Sequence, residues 1–167
     1  MKMLGLAGWS GSGKTTLMMR LLPELIARGI SVSTMKHAHH DFDIDQPGKD
    51  SYVHRSAGAR EVLVASTRRW ALMHEHRGEA DPSAAELMRH MTPVDLLLIE
   101  GFKREPHDKI EVYRSANGKP LLHPEDPHIV AVASDVALPA TALPVLDLAD
   151  IRAIADFVVA HCGLPSK

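Results

Sequence analysis

The sequence has a single cysteine, Cys162, among 167 residues. That count excludes an intramolecular disulfide and agrees with a reducing cytosol, so the expected location is cytoplasmic. Asparagine is equally scarce. Asn117 is the sole one, which excludes the usual guanine reader, an Asn-Lys-x-Asp run after a late strand. No apolar run is long enough to cross a membrane, and the stretch from Met1 to Gly8 is too short for a signal-peptide core followed by a cleavage site. A large charge of either sign is also missing. The formal net charge is -2 with a pI near 6.6, so no general basic field favours nucleic acid, and a phosphorylated ligand has to be held locally. Internal repeats and low-complexity segments are absent.

What is present describes an ordinary globular chain. Hydrophobic residues make up 45% and charged residues 24%, which is far from the signature of disorder. The length predicts one domain over residues 1–167, large enough for a sizeable core. Histidine is frequent, at 11 residues, but only His37, His39 and His40 cluster.

Strands and helices alternate along the chain. Met3 to Ala7 is a short apolar run ending in glycine, as a buried strand feeding a loop would be. Leu17, Met18, Leu21, Leu22, Leu25 and Ile26 have the spacing of one helix face, which predicts a helix over 15–27, stopped by Gly29. Residues 30–35 form a second strand, rich in β-branched side chains. The polar stretch 36–48 reads as a long functional loop, followed by a short helix to about Ala57. Residues 61–66 and 69–73 are strand-like, as a hairpin or as successive neighbours. Ser83 and Glu86 have capping-box spacing at the start of a helix. The run 94–99 is apolar on both faces, as a central parallel strand requires. Further strands are expected at 109–113, 129–133 and 145–146, with a closing helix at 151–160. The predicted fold class is α/β, a mostly parallel twisted sheet with helices on both faces.

The chemistry concentrates first at Gly8-Trp9-Ser10-Gly11-Ser12-Gly13-Lys14-Thr15, followed by Thr16. This matches G-x-x-x-x-G-K-[ST] between a strand and a helix, the context that identifies a P-loop. Glycines let successive backbone N–H groups turn inward around phosphate oxygens, and the helix N-terminus adds partial positive charge. Lys14 is the expected point charge on the β and γ phosphates, and the Thr15 hydroxyl is expected on Mg²⁺. Glu100 ends the apolar strand as a Walker B acid does, to hold a magnesium water or orient an attacking one. Asp95, at the other end, caps the strand's start.

Two further features leave alternatives open. Residues 36–45 pack three imidazoles and three carboxylates into ten positions, a composition that suits a transition metal or a polar lid over phosphates. No cysteine or spaced second pair completes four ligands there. Asp135 follows a buried strand where a base reader would stand. A carboxylate there accepts from both the ring N–H and the exocyclic amine of guanine, although a turn-capping Asp reads equally well.

Taken together, Gly8 to Thr16, the blocks Lys36-His37-x-His39-His40-Asp41-x-Asp43-x-Asp45 and Pro47-Gly48-Lys49-Asp50-Ser51, Arg55 with Ala57-Gly58-Ala59, Glu100-Gly101-Phe102-Lys103 and Ala133-Ser134-Asp135 resemble the molybdopterin-guanine dinucleotide biosynthesis protein B family. The similarity runs along nearly the whole chain, and is least distinctive over residues 114–126. The resemblance implies a homodimeric GTP-binding adapter with weak Mg²⁺-dependent GTPase activity. It also implies partnership with the guanylyltransferase that joins GMP to the molybdenum-pterin cofactor, and with other cofactor-synthesis proteins. GTP and Mg²⁺ are the implied ligands, with molybdopterin or its molybdenum form as a further candidate. His37, Asp50 and Arg55 are implied to lie near nucleotide or cofactor, without assigned roles.

Two other readings use the same residues. A GTPase metallochaperone would carry a metal on the His37–Asp45 loop. A small-molecule kinase would clamp its acceptor with Arg55, Arg60 and the Arg68-Arg69 pair. No in-chain arginine finger or water-orienting glutamine is evident, so a slow hydrolase would take the missing charge from a partner.

Overall fold

The computed structural model describes residues 1–38, 42–102 and 105–165. His39, His40, Asp41 and Lys103, all named in the sequence reading, lie outside the described residues. The chain divides into two compact units, Met1–His37 with Arg89–Lys167, and Ala38–Met88.

The first unit is a six-stranded sheet ordered β2-β5-β1-β6-β7-β8, in which every neighbouring pair runs parallel. Its strands are β1 (Lys2–Ala7), β2 (Val32–Lys36), β5 (Leu96–Glu100), β6 (Lys109–Tyr113), β7 (Ile129–Ser134) and β8 (Val145–Asp147). Helices α1 (Lys14–Ala27) and α4 (Ile151–Cys162) flank the sheet. This is the parallel α/β class that the strand–helix alternation predicts. β1 and β2 are parallel but not adjacent, because β5 pairs with both. The four residues from Leu96 to Ile99 are inaccessible to solvent, which explains why β5 reads as a continuous apolar run. Leu96 and Leu98 pack with Leu17, Leu21 and Leu25 of α1 and with Ile154 and Val158 of α4. Each such fully buried aliphatic side chain contributes roughly 1.5–3 kcal/mol. Asp95 caps β5 as expected: its Oδ2 accepts from the Ser31 N–H at 2.8 Å and hydroxyl at 2.6 Å.

β6 looks half-exposed in sequence, since Lys109 and Glu111 alternate with Ile110 and Val112. Instead the charged pair is as buried as the apolar one. Lys109 Nζ donates to the Glu105 carbonyl at 2.8 Å and to Asp126 Oδ2 at 3.1 Å. Glu111 accepts from the backbone N–H groups of Leu122 (2.7 Å) and His123 (3.0 Å). Each charge is paired with groups of the flanking connections, which is the condition for leaving water.

The second unit contains α2 (Asp50–Ser56), β3 (Glu61–Ala65), β4 (Trp70–His74) and α3 (Ala84–Met88). β3 and β4 form an antiparallel hairpin that pairs Glu61 with His74 and Ala65 with Trp70. Of the two arrangements read from the sequence, the hairpin is the one that forms. The predicted capping box is also present: the Ser83 N–H donates to Glu86 Oε2 at 2.9 Å, and the Glu86 N–H to Ser83 Oγ at 3.2 Å. The helix it opens, α3, is short and ends at Met88.

Candidate functional site

The carboxyl ends of β1 and β5 lie side by side, with Leu6 in register with Glu100. Consecutive strands β5 and β6 lie on opposite edges of β1, the kind of switch point where open parallel sheets form a crevice. Residues 8–13 leave β1 there and run into α1. Gly8, Gly11 and Gly13 have φ of 144°, 79° and 94°, conformations that an L side chain rarely adopts. A Cβ on Gly8 would also stand 2.6 Å from both Ser12 Oγ and the Val112 carbonyl oxygen. The loop therefore needs glycine for backbone conformation and for clearance.

Ser10, Gly11, Gly13, Lys14, Thr15, Thr16 and Glu100 line one cleft of about 360 Å³. Lys14 Nζ reaches back over the loop to the carbonyl oxygens of Gly8 (2.9 Å) and Trp9 (3.0 Å). The Thr15 hydroxyl donates to Glu100, at 3.0 Å from Oε1 and 3.3 Å from Oε2. Ser12 Oγ is buried within the loop with no hydrogen-bond partner among the described residues. A cation, a hydroxyl–carboxylate pair and a glycine-rich turn at a helix N-terminus thus converge within a few ångströms. The arrangement has the donors for an anion and the oxygens for a small, hard cation.

The segment after β6 closes the other side of the loop, an arrangement that no local pattern in the sequence marks. The Arg114 guanidinium lies against Gly13: a Cβ there would stand 3.0 Å from Arg114 Nε. Asn117 Nδ2 lies 3.5 Å from the Ser10 carbonyl oxygen, Lys119 Nζ is 5.9 Å from the centroid of the Trp9 ring, and the Trp9 indole N–H donates to the Pro120 carbonyl at 2.8 Å. Asp135, beyond β7, accepts the Ser115 N–H on Oδ1 at 2.9 Å. It thereby anchors the 3₁₀ turn Ser115–Asn117 that touches the loop. Asp135 thus holds a turn distant in sequence, while its own turn is bonded through Ser134 Oγ, which accepts the Val136 N–H at 3.1 Å. The one available signal for this segment was the Asn117-Gly118 turn, which marks a bend without revealing its neighbour.

His37 follows β2 and its N–H donates to the Glu100 carbonyl at 2.9 Å. Its ring lies 4.8 Å from that of Phe102, and a Cβ on Gly101 would meet His37 Cβ at 2.8 Å. His37 is therefore held beside the carboxyl end of β5. Asp50 and Arg55 belong to the second unit. Asp50 is the first residue of α2. Arg55 binds Asp43 at 2.7 Å and Asp45 at 2.9 Å, with Glu75 at 3.6 Å, and stacks over Tyr52 at 5.2 Å. Its hydrogen bond with Asp45 raises the guanidinium above its ordinary pKa. Within this unit Arg55 organises the acidic end of the 36–45 loop.

Comparison with known proteins adds an independent line. Residues 3–135 match the family model described as molybdopterin guanine dinucleotide synthesis protein B. The chain is 48% identical over 160 residues to the molybdopterin-guanine dinucleotide biosynthesis adapter protein of Escherichia coli, covering 94% of this chain and 91% of that one. It is 44% identical over 157 residues to the adapter protein of Haemophilus influenzae, covering 93% and 86%. Among solved structures, a molybdopterin-guanine biosynthesis protein B superposes with a TM-score of 0.76 at 26% identity, over 95% of this chain and 99% of that one. None of these relatives favours the metallochaperone or kinase reading. A parallel sheet carrying a glycine-rich loop against Thr15 and Glu100, and a match that extends over most of the sequence, place the chain in the molybdopterin guanine dinucleotide synthesis protein B family.

Proposed function

We propose that this protein is a GTP-binding adapter in molybdenum cofactor biosynthesis that assists the guanylation of molybdopterin, and that it hydrolyses GTP slowly. The observation that carries the reading is the cleft at the end of β1, where Lys14, Thr15 and Glu100 converge on a loop built on Gly8, Gly11 and Gly13. In this reading the N–H groups of residues 10–16, Ser10, Ser12 and Thr16 included, and the Lys14 ammonium hold the triphosphate. The Thr15 hydroxyl enters the Mg²⁺ shell and Glu100 holds one of its waters. Arg114, beside Gly13, is placed to supply positive charge that the sequence alone could not assign. Asp135 reads guanine. A carboxylate has about four acceptor sites, so the Ser115 contact leaves capacity for the ring N–H and the exocyclic amine.

The adapter names of the relatives support a partner among the enzymes of cofactor synthesis, and in this reading that partner is the guanylyltransferase. The homodimer is supported by the hairpin, whose Leu63, Val64, Trp70 and Leu72 are 61%, 44%, 64% and 40% exposed in the single chain. A two-stranded sheet with open edges and apolar faces is a template for pairing. A cytoplasmic location is supported by the lone Cys162, which is buried in α4. No helix among the described residues is long and apolar enough to cross a membrane.

Calorimetric titration with GTP, ATP and their diphosphates in Mg²⁺, repeated with the molybdenum-cofactor guanylyltransferase present, tests the proposal. The expected result is preference for GTP, tightened by the partner. Preference for ATP, or indifference to the partner, overturns it.

A further inference from the structure

Within the second unit, the end of β4 and the turn that follows bring together His74, His76 and Glu79. One ligand atom from each lies within 4.8 Å of the others. We infer that His74, His76 and Glu79 form a Zn²⁺ site, with water in the fourth position, that ties the end of the hairpin to the turn after it.

The chain is shaped to bring these groups together. His74 and His76 stand two residues apart at the end of an extended strand, so their side chains leave the same face, and their rings lie 5.5 Å apart. Arg77 and Gly78 then take φ of 47° and 90°, and the Glu79 N–H donates to the His76 carbonyl at 2.9 Å. That turn folds Glu79 back toward the imidazoles. His74 Nε2 lies 3.7 Å from Glu79 Oε2. Two ligand atoms on a tetrahedral zinc, with bonds of 2.0–2.1 Å, are separated by about 3.4 Å. Closing that gap takes a few tenths of an ångström, and drawing in the widest pair, which lies within 4.8 Å, takes at most about 1.4 Å of movement by exposed side chains.

The neighbours of the ligands carry the inference further. His74 Nδ1 is engaged by Glu61 Oε1 at 2.7 Å, the carboxylate–histidine pairing that fixes the tautomer and turns Nε2 toward a metal. Arg60 pairs with Glu79 through Oε1, leaving Oε2 toward His74. Adjacent residues 60 and 61, at the start of β3, thus each hold one ligand by its far atom. A surface ion network would account for Glu61, His74, Glu79 and Arg60. It gives no reason for His76, whose ring nitrogens make no hydrogen bond among the described residues. With neutral imidazoles, the charges of Arg60, Glu61 and Glu79 sum to about -1, a favourable field for a divalent cation. Two imidazoles and one carboxylate are a donor set that zinc accepts.

Equilibrium dialysis of the full chain against Zn²⁺, with Co²⁺ absorption as a readout of coordination, tests the site. Saturable binding of one equivalent is expected, with a tetrahedral Co²⁺ spectrum, and His74→Ala or His76→Ala should abolish it. Glu61→Gln keeps the shape of the side chain and leaves all three ligands in place. It should weaken the metal roughly 10- to 100-fold, as loss of such a partner does elsewhere. Replacing His37, His39 and His40 together by Ala should leave the stoichiometry unchanged. Non-saturable uptake, binding that survives His74→Ala and His76→Ala, or binding lost in the triple variant would each overturn the inference.

Discussion

His107 offers a measurable consequence of a buried and unsatisfied group. Its imidazole is 5% exposed, and neither ring nitrogen has a hydrogen-bond partner among the described residues. It packs so tightly over β1 that a Cβ on Gly5 would stand 2.5 Å from Nε2. Burial, reinforced by the charges of Lys109 and His128 and opposed by those of Asp126 and Asp108, lowers its pKa from 6.5 to about 4. Between these values the unfolded chain binds the proton and the folded chain does not, so stability falls as pH falls through that window. At full effect the difference is worth about 3 kcal/mol. About 2 kcal/mol of it should be lost between roughly pH 7.5 and pH 5. Urea unfolding of wild type and His107→Leu at both pH values isolates this contribution, because the other titrating groups are common to the two proteins. The Leu variant removes two unsatisfied nitrogens at similar volume. It should match wild type within about 1 kcal/mol at neutral pH and be the more stable protein at pH 5. An equal acid loss in both proteins would refute burial as the origin of the sensitivity.

Three other outcomes are expected. Lys14→Ala should weaken Mg²⁺–triphosphate binding roughly 10²-fold, equivalent to about 3 kcal/mol, while circular dichroism and melting stay close to wild type. The core face of α1 rests on Leu17, Leu21 and Leu25, so an unfolded variant would contradict the placement of the lysine at the ligand. Asp135→Asn should reduce discrimination between GTP and ATP by about tenfold, the scale of one lost charge-assisted hydrogen bond. It should also loosen the turn at Ser115, so unchanged selectivity would leave the residue with its capping role alone. In sedimentation equilibrium the wild-type chain should be the proposed dimer and Trp70→Asp a monomer with unchanged GTP affinity, and a dimer that persists in the variant would place the interface away from the hairpin.

Much of this molecule is written in local patterns. The loop 8–15 is legible because its glycines answer a backbone requirement, positive φ and close approach, which no other residue meets as readily. β5 is legible because burial on both faces leaves no polar position from Leu96 to Ile99. The Ser83–Glu86 box joins residues three apart, so the spacing along the chain carries it; Asp95 is legible only as a strand-start residue, and its partner Ser31 is supplied by the pairing of β2 with β5. Other features depend on neighbours distant in sequence. Lys109 and Glu111 alternate as if exposed, yet they are buried because Asp126 and the N–H groups of Leu122 and His123, in the connection from β6 to β7, fold back onto them. Arg114 and Asn117 gain meaning only when β6 is placed beside β1, which sets them against Gly13 and Ser10. The pairing of Glu61 with His74 likewise requires the register of the hairpin. The sequence by itself determined the glycine-rich loop, its cation and its acidic strand end, because backbone conformation and continuous burial are local demands. Tertiary structure decided which charges leave water and which side chains meet at the loop, because desolvation and pairing are settled between segments that the chain keeps far apart.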